Sequence, residues 1–123
     1  MIKRFVKKYI LKPNLCQESF DAYYLKLPKN IQVKWFRDEG YIVGKIDTGD
    51  NEFSTQGKNA DDFIKMVNDA VFTMYDIPED YIDVIDKFHA YIPPAQEMDK
   101  LNNKTISSAK LGFKKNEEIF KIA

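Results

Sequence analysis

The sequence predicts an α+β domain in which an amphipathic helix packs on a three-stranded antiparallel meander, with extra segments at both ends. Apolar and polar residues alternate over 31–36, and two glycine-containing turns, "RDEG" and "DTGDN", bound the β-branched run that follows. These two observations predict the meander. The helix is predicted by a third observation, because apolar residues after Gly57 recur at helical spacing.

The meander begins with a strand over about residues 31–36, where Ile31, Val33 and Trp35 occupy alternate positions. The turn "RDEG" supplies acidic turn formers and a glycine that tolerates a positive φ, so the run "YIVGKI" is expected to return as the second strand of a hairpin. A second such turn, "DTGDN", precedes "EFSTQ", which we expect to be the third strand.

A helix is predicted after Gly57, with Asn59 as its N-cap and Asp62 placed to interact with the first-turn amides. The apolar stripe expected to face the sheet consists of Phe63, Val67, Ala70 and Met74, with Ile64 and Val71 beside it. The opposite face would carry Asp61, Asp62, Lys65, Asn68 and Asp69. Asp76 and Pro78 are expected to end this helix, and "PEDYIDVIDKF" to form a second, short one.

The domain organisation that follows is a basic N-terminal segment over 1–30, an α+β domain over 31–92 and a C-terminal extension over 93–123. The extension has a mixed, polar pattern that could hold a short helix or be partly disordered. No run of apolar residues has the length of a membrane span, and the single cysteine, Cys16, cannot form an internal disulfide. We therefore expect a soluble, cytoplasmic protein that does not contact a membrane.

Charge is segregated along the chain although its net value is zero. Residues 1–36 carry eight Lys or Arg and two acids, residues 37–86 carry four and thirteen, and residues 87–123 carry seven and four. An acidic middle could attract a basic protein. The basic ends could contact that middle, another acidic surface or nucleic acid.

Common catalytic and ligand-binding patterns are weak in this chain. "TQGKNA" offers one glycine where a phosphate-binding loop needs several, and the only histidine, His89, is far in sequence from Ser54. The acids near the predicted strand ends could bind metal, but most of them fall in turns, where Asp is favoured for its conformation. We expect no cofactor, no metal site and no enzymatic activity.

The segments "DEGYIVGKI" and "FSTQGKNADDFIKMVNDAV" resemble the HicB-like antitoxins of bacterial toxin–antitoxin pairs. The resemblance covers roughly residues 31–78 and implies a HicB-like, partially degraded ribonuclease H-like fold without catalysis. It implies a protein that binds and neutralises a small basic RNA-cleaving toxin of the HicA type. No helix-turn-helix or ribbon-helix-helix pattern follows the domain, so binding of operator DNA is left open. Homo-oligomers are possible, since exposed strand edges invite pairing.

The partner-binding residues expected from this resemblance and from the charge pattern are acids with two aromatic anchors. They are Asp38, Glu39, Asp47, Asp50, Glu52, Asp61, Asp62 and Asp69, with Trp35 or Tyr41 as anchor. The alternative is a nucleic-acid-binding module that uses the basic termini, through Lys3, Arg4, Lys7, Lys8, Lys114 and Lys115. A divergent metal-dependent nuclease is a third hypothesis.

Overall fold

The structure is a computed structural model that describes residues 16–115, except the side chains of 87–89 and 114–115. Within that range the chain forms four helices and five strands. In chain order they are α1 (Gln17–Lys26), β1 (Asn30–Asp38), β2 (Tyr41–Asp47), β3 (Glu52–Gly57), α2 (Ala60–Met74), α3 (Glu79–His89), β4 (Tyr91–Ile92), α4 (Ala95–Asn102) and β5 (Ser108–Lys115). The predicted α+β class is confirmed.

All strands belong to one antiparallel sheet with the order β3-β2-β1-β5-β4. The first three strands pair consecutively through the two turns that the sequence indicates. In the first turn Glu39 and Gly40 both have positive φ, 49° and 85°, which is the backbone of a tight hairpin turn. In the second, Gly49 has a φ of 95° and its N–H donates to the Asp47 carboxylate at 2.8 Å.

The strand β5 extends this sheet on the far side of β1, so the last described strand lies beside the first. It comes from the region that the sequence analysis assigned to a C-terminal extension. Its burial alternates, with Leu111 and Phe113 buried and Lys110 and Gly112 exposed. The short strand β4 pairs with the end of β5 and forms one edge of the sheet. Residues 108–115 therefore belong to the same sheet as residues 30–57.

The helices pack on one face of the sheet and enclose a single core with it. The core includes Phe20 of α1, Phe63, Val67 and Val71 of α2, Ile85 of α3 and Leu101 of α4, together with Ile31, Val33, Trp35, Ile42, Ile46, Leu111 and Phe113 from the strands. Because α1 contributes Phe20, residues 16–29 also take part in this packing. Among the described helices none combines the length and the apolar character that crossing a bilayer requires.

The helix α2 begins as the sequence predicts. The Asn59 side chain accepts a hydrogen bond from the amide of Asp62 at 2.9 Å, and the Asp62 carboxylate accepts one from the amide of Lys58 at 2.8 Å. These two bonds satisfy donors that a helix start otherwise leaves unpaired. At the other end Asp76 takes a positive φ of 56°, and the amide of Ile77 donates to the Phe72 carbonyl at 3.0 Å. This is a Schellman arrangement, which ends the helix.

The buried stripe of α2 is rotated from the predicted one. Ala60, Phe63, Val67 and Val71 face the core, whereas Met74 is exposed and Asn68 is buried. The placement of Asn68 on the outer face was wrong. Its amide donates to the carbonyl of Tyr91 at 2.9 Å, and its side-chain oxygen accepts from the amide of Tyr91 at 2.5 Å. Asn68 therefore supplies the backbone of β4 with partners that a neighbouring strand would otherwise provide.

Candidate protein-binding surface

The acids predicted to bind a partner lie at three places in the fold, namely the two hairpin turns and the helix α2. Asp38 and Glu39 lie in the turn between β1 and β2, whereas Asp47, Asp50 and Glu52 surround the turn between β2 and β3. The seven residues of β2 separate these turns. At about 3.4 Å per residue the two groups are roughly 20 Å apart. A small partner that covers one group need not contact the other.

Several of these carboxylates have roles inside the domain. The Asp47 carboxylate accepts a hydrogen bond from the amide of Gly49 within the second hairpin turn. Glu52 forms an exposed ion pair with Lys45 at 3.3 Å. Asp62 is half-buried at the start of α2, where its carboxylate accepts the amide of Lys58. Of the three predicted acids on α2, Asp61 and Asp69 are exposed.

The two aromatic residues proposed as anchors have different positions. Trp35 is 1% exposed and lies in the core, so the prediction that it could anchor a partner is corrected. The alternation of β1 directs its side chain to the helix-covered face, where the guanidinium of Arg37 lies 5.1 Å from its ring centre. Tyr41 is 41% exposed at the start of β2, opposite Asp38. It borders a depression of about 400 Å³ beside the first hairpin turn.

An acidic groove that the sequence analysis did not single out lies between α2 and α3. We define it by Asp69, Asp83 and Asp86, with Lys65 at its edge and the apolar side chains of Phe72 and Ile82 in its lining. Its volume is about 310 Å³. The spacing of Asp83 and Asp86 in "DVID" places them on one side of α3, and this helical spacing was the available signal.

Electrostatics within the groove favour a cation. Burial, together with the negative charges of Asp83 and Asp69, raises the pKa of Asp86, and the ammonium of Lys65 opposes this shift only in part. With its carboxylates ionised, the groove therefore carries a net negative charge, because three carboxylates face one lysine. A cation from outside would lower the pKa of Asp86 and stabilise the carboxylates together.

The segregation of charge along the sequence becomes a segregation between faces of the domain. Residues 60–89, which form α2, α3 and their connection, carry eight carboxylates and two lysines. We call this part the acidic helical layer. The sheet face on the other side carries exposed Lys34, Lys45 and Lys110 across its middle, and exposed Asp38, Asp47 and Glu52 near the strand ends. The molecule therefore presents an acidic helical side and a sheet side of mixed charge, with lysines across its middle.

The hydrolase and metal hypotheses gain no geometric support among residues 16–115. Ser54 is exposed on β3, on the side away from the helices, and His89 is the last residue of α3. Among the side chains that the structure describes, no group of three or more His, Cys, Asp or Glu is arranged to hold a metal ion.

The structure does not describe the side chains of the basic residues that the nucleic-acid-binding hypothesis uses. Lys3, Arg4, Lys7 and Lys8 lie outside the described residues. Lys114 and Lys115 end β5 by their backbone, and their side chains are likewise outside the description.

Comparisons with protein-family models, with curated proteins and with solved structures found no match to the chain. The resemblance to HicB-like antitoxins therefore rests on the two sequence segments quoted above.

Proposed function

We propose that this protein is a non-catalytic, antitoxin-like protein that binds and neutralises a small basic RNA-cleaving toxin. The observation that carries the proposal is the concentration of eight carboxylates on the acidic helical layer, against two lysines. A protein that binds RNA presents a cationic surface to the phosphates. Such a surface is complementary to this layer, and complementary charge accelerates association and favours that partner over neutral ones.

The acidic groove is the proposed centre of the contact. An arginine or lysine of the toxin would insert between Asp69, Asp83 and Asp86, and its aliphatic part would pack on Phe72 and Ile82. Asp61 extends the same layer at the start of α2. None of the acids at the two hairpin turns lines this groove, so the proposal does not include them in the contact.

The mode of neutralisation follows from the same charge complementarity. The carboxylates would occupy the cationic groups with which the toxin holds RNA, so RNA and this protein would compete for one surface. No chemical step on this chain is required.

The test begins with the product of a neighbouring reading frame that encodes a small basic protein. Co-expression is expected to restore growth that this product inhibits, and the two proteins are expected to co-purify. Absence of any such neighbour, or a complex that leaves the ribonuclease activity intact, would contradict the proposal.

The contact surface is tested with two sets of charge-neutral variants. Asp69→Asn, Asp83→Asn and Asp86→Asn together are expected to lower the association rate about tenfold or more at low salt. The matched set Asp47→Asn, Asp50→Asn and Glu52→Gln removes the same charge at the second hairpin turn and is expected to have a much smaller effect. Equal effects of the two sets would show that overall charge, not the groove, directs binding.

A further inference from the structure

The sheet face opposite the helices is not covered by any described element. We call it the open face. Its exposed or half-buried side chains include three carboxylates near the strand ends, Asp38, Asp47 and Glu52, as well as Gln32, Lys34 and Phe36 of β1, Tyr41, Val43 and Lys45 of β2, Ser54 and Gln56 of β3, and Ser108 and Lys110 of β5. All of them occupy the strand positions that alternate with the core residues.

Three lysines form a row across the middle of the open face. Lys34 of β1 is directly opposite Lys45 of β2 on one side and Lys110 of β5 on the other. Like charges in directly opposed positions destabilise a sheet. Lys45 pairs with Glu52 at 3.3 Å, but within residues 16–115 no carboxylate lies at ion-pair distance from Lys34 or Lys110. The row therefore adds nothing to the stability of the sheet, and it presents two uncompensated cations.

An exposed aromatic ring lies next to these cations. Phe36 is 48% exposed and follows Lys34 by two positions on the same face. Two positions along a strand are about 7 Å. A shallow depression of about 350 Å³ runs between β1 and β5 at this point, bordered by Lys34, Phe36, Ser108 and Lys110. Nothing in the described part of the chain buries the ring.

We propose that the open face binds single-stranded nucleic acid, with a base stacked on Phe36 and the flanking phosphates held by Lys34 and Lys110. Cationic side chains that track the backbone, combined with an aromatic platform for the bases, are the features by which proteins bind single strands without reading sequence. The separation of Phe36 from Lys34 has the size of one nucleotide. The hydroxyl of Ser108 lies directly opposite Phe36, and the amide of Gln56 lies two strands away beyond Val43; both offer hydrogen bonds to base edges.

The chemistry of this face favours a single strand over two other occupants. In a duplex the bases stack on one another, so their faces are not free to meet Phe36. An acidic protein would pair with the lysines, but it would gain little from an isolated aromatic ring beside them. This inference is independent of the proposed function, since it concerns the face opposite the acidic helical layer.

The probe for the test is a fluorescein-labelled oligouridylate of about ten nucleotides, matched by an oligothymidylate and by a duplex of equal length. Binding to the full chain is followed by fluorescence anisotropy from about 50 to 200 mM salt. One or both single strands are expected to bind more tightly than the duplex. Failure of both single strands to bind at the lowest salt would overturn the proposal.

Variants then locate the binding surface. Phe36→Ala is expected to weaken binding roughly 5- to 150-fold, the range found for loss of one stacked base. Lys34→Ala with Lys110→Ala is expected to reduce the slope of log K against log salt by about 1.4, because two phosphate contacts of a single strand are lost. The matched control is Lys58→Ala with Lys104→Ala, which removes two exposed lysines outside the open face.

Three outcomes would overturn the assignment to this face. The control pair could reduce binding as much as the Lys34 and Lys110 pair. Replacement of Lys3, Arg4, Lys7 and Lys8 by alanine could abolish binding while the Phe36 variant leaves it unchanged, which would place the site on the N-terminal residues. Sedimentation could show that Phe36→Ala dissociates a dimer, which would make the open face an interface between copies. Near-ultraviolet circular dichroism of Trp35 reports whether each variant keeps its core.

Discussion

A Cβ atom at Gly57 would lie 2.5 Å from the backbone nitrogen and from the Cα of Phe63. The end of β3 thus passes directly against the first turn of α2, with no space for a side chain. This contact explains why the chain changes from strand to helix at a glycine, and why Asn59 and Asp62 must fix the helix start immediately afterwards.

We expect Gly57→Ala to lower the free energy of unfolding by about 3 kcal/mol or more, because the clash is with backbone atoms that cannot rotate away. Urea denaturation measures the change. Gly112→Ala on β5 is the matched control, since no atom lies within 4 Å of its added Cβ, and it should change stability by less than about 0.5 kcal/mol. Equal losses for both variants would contradict the packing argument.

Gly44 also lies against Phe63, but it faces the aromatic ring of Phe63 and not its backbone. A Cβ there would lie 2.4 Å from the tip of the Phe63 ring, which is a side chain and can be shortened. Gly44→Ala is therefore expected to destabilise the wild type by about 1–3 kcal/mol and to cost less in a Phe63→Leu background. Gly57→Ala should show no such rescue. A double-mutant cycle of unfolding free energies with no coupling at Gly44 would contradict this expectation.

Arg37 joins β1 to the end of α4. Its Nε donates to the carbonyl of Ile106 at 2.7 Å, and its Nη2 donates to the carbonyls of Leu101 and Asn103 at 2.7 and 2.9 Å. We expect Arg37→Ala to cost about 2–4 kcal/mol, since three carbonyls lose a charged donor. Arg37→Lys should recover only part of this, because an ammonium lacks the planar fork. Hydrogen exchange should accelerate most in α4; uniform acceleration would show a general loss of stability instead.

The acidic groove makes stability depend on pH. The pKa of Asp86 is raised in the folded protein, so folding favours its protonated form, and stability decreases as pH rises from the ordinary carboxyl pKa through the raised one. Asp86→Asn removes this decrease. It should be more stable than the wild type at neutral pH, by less than about 1 kcal/mol at this exposed site, with the advantage lost in acid.

A substitution of Lys65 is a control for that prediction, because it should change stability at neutral pH in the opposite direction. It opposes the rise in the pKa of Asp86, so Lys65→Gln should lose stability at neutral pH and resemble the wild type in acid. Thermal denaturation across this pH range measures both variants. If the stability difference between Asp86→Asn and wild type were the same at every pH, the pKa of Asp86 would not be raised by its surroundings.

Local chemistry made much of the first half of the fold predictable. The turns around Gly40 and Gly49, the cap at Asn59 and the stop at Asp76 are each specified by a few adjacent residues with defined conformational preferences. These features could be placed without knowledge of distant parts of the chain.

The misassigned features depend on partners remote in sequence. In the sequence Asn68 has the character of a surface residue. Its hydrogen-bond partners are the backbone groups of Tyr91 in β4, which lies 23 residues further along the chain. Trp35 resembles a potential anchor in the sequence, but in the fold it is buried in the core and the guanidinium of Arg37 lies over its ring. The alternation of Ala109, Leu111 and Phe113 was readable as a strand, but the lysines and glycine between them resembled a polar tail. The acidic groove likewise needs two helices to pack together; both were predicted, but only the acids of the first were assigned to a partner.

The place of β5 beside β1 has a consequence for synthesis. Until residues 108–115 leave the ribosome, one side of β1 has no hydrogen-bonding neighbour, while the hairpins on its other side can already have formed. A nascent or truncated chain that ends before this point carries an unsatisfied edge next to the most hydrophobic part of the sheet, and such an edge recruits other chains. Premature stops late in the reading frame are thus expected to yield aggregates rather than a smaller working domain.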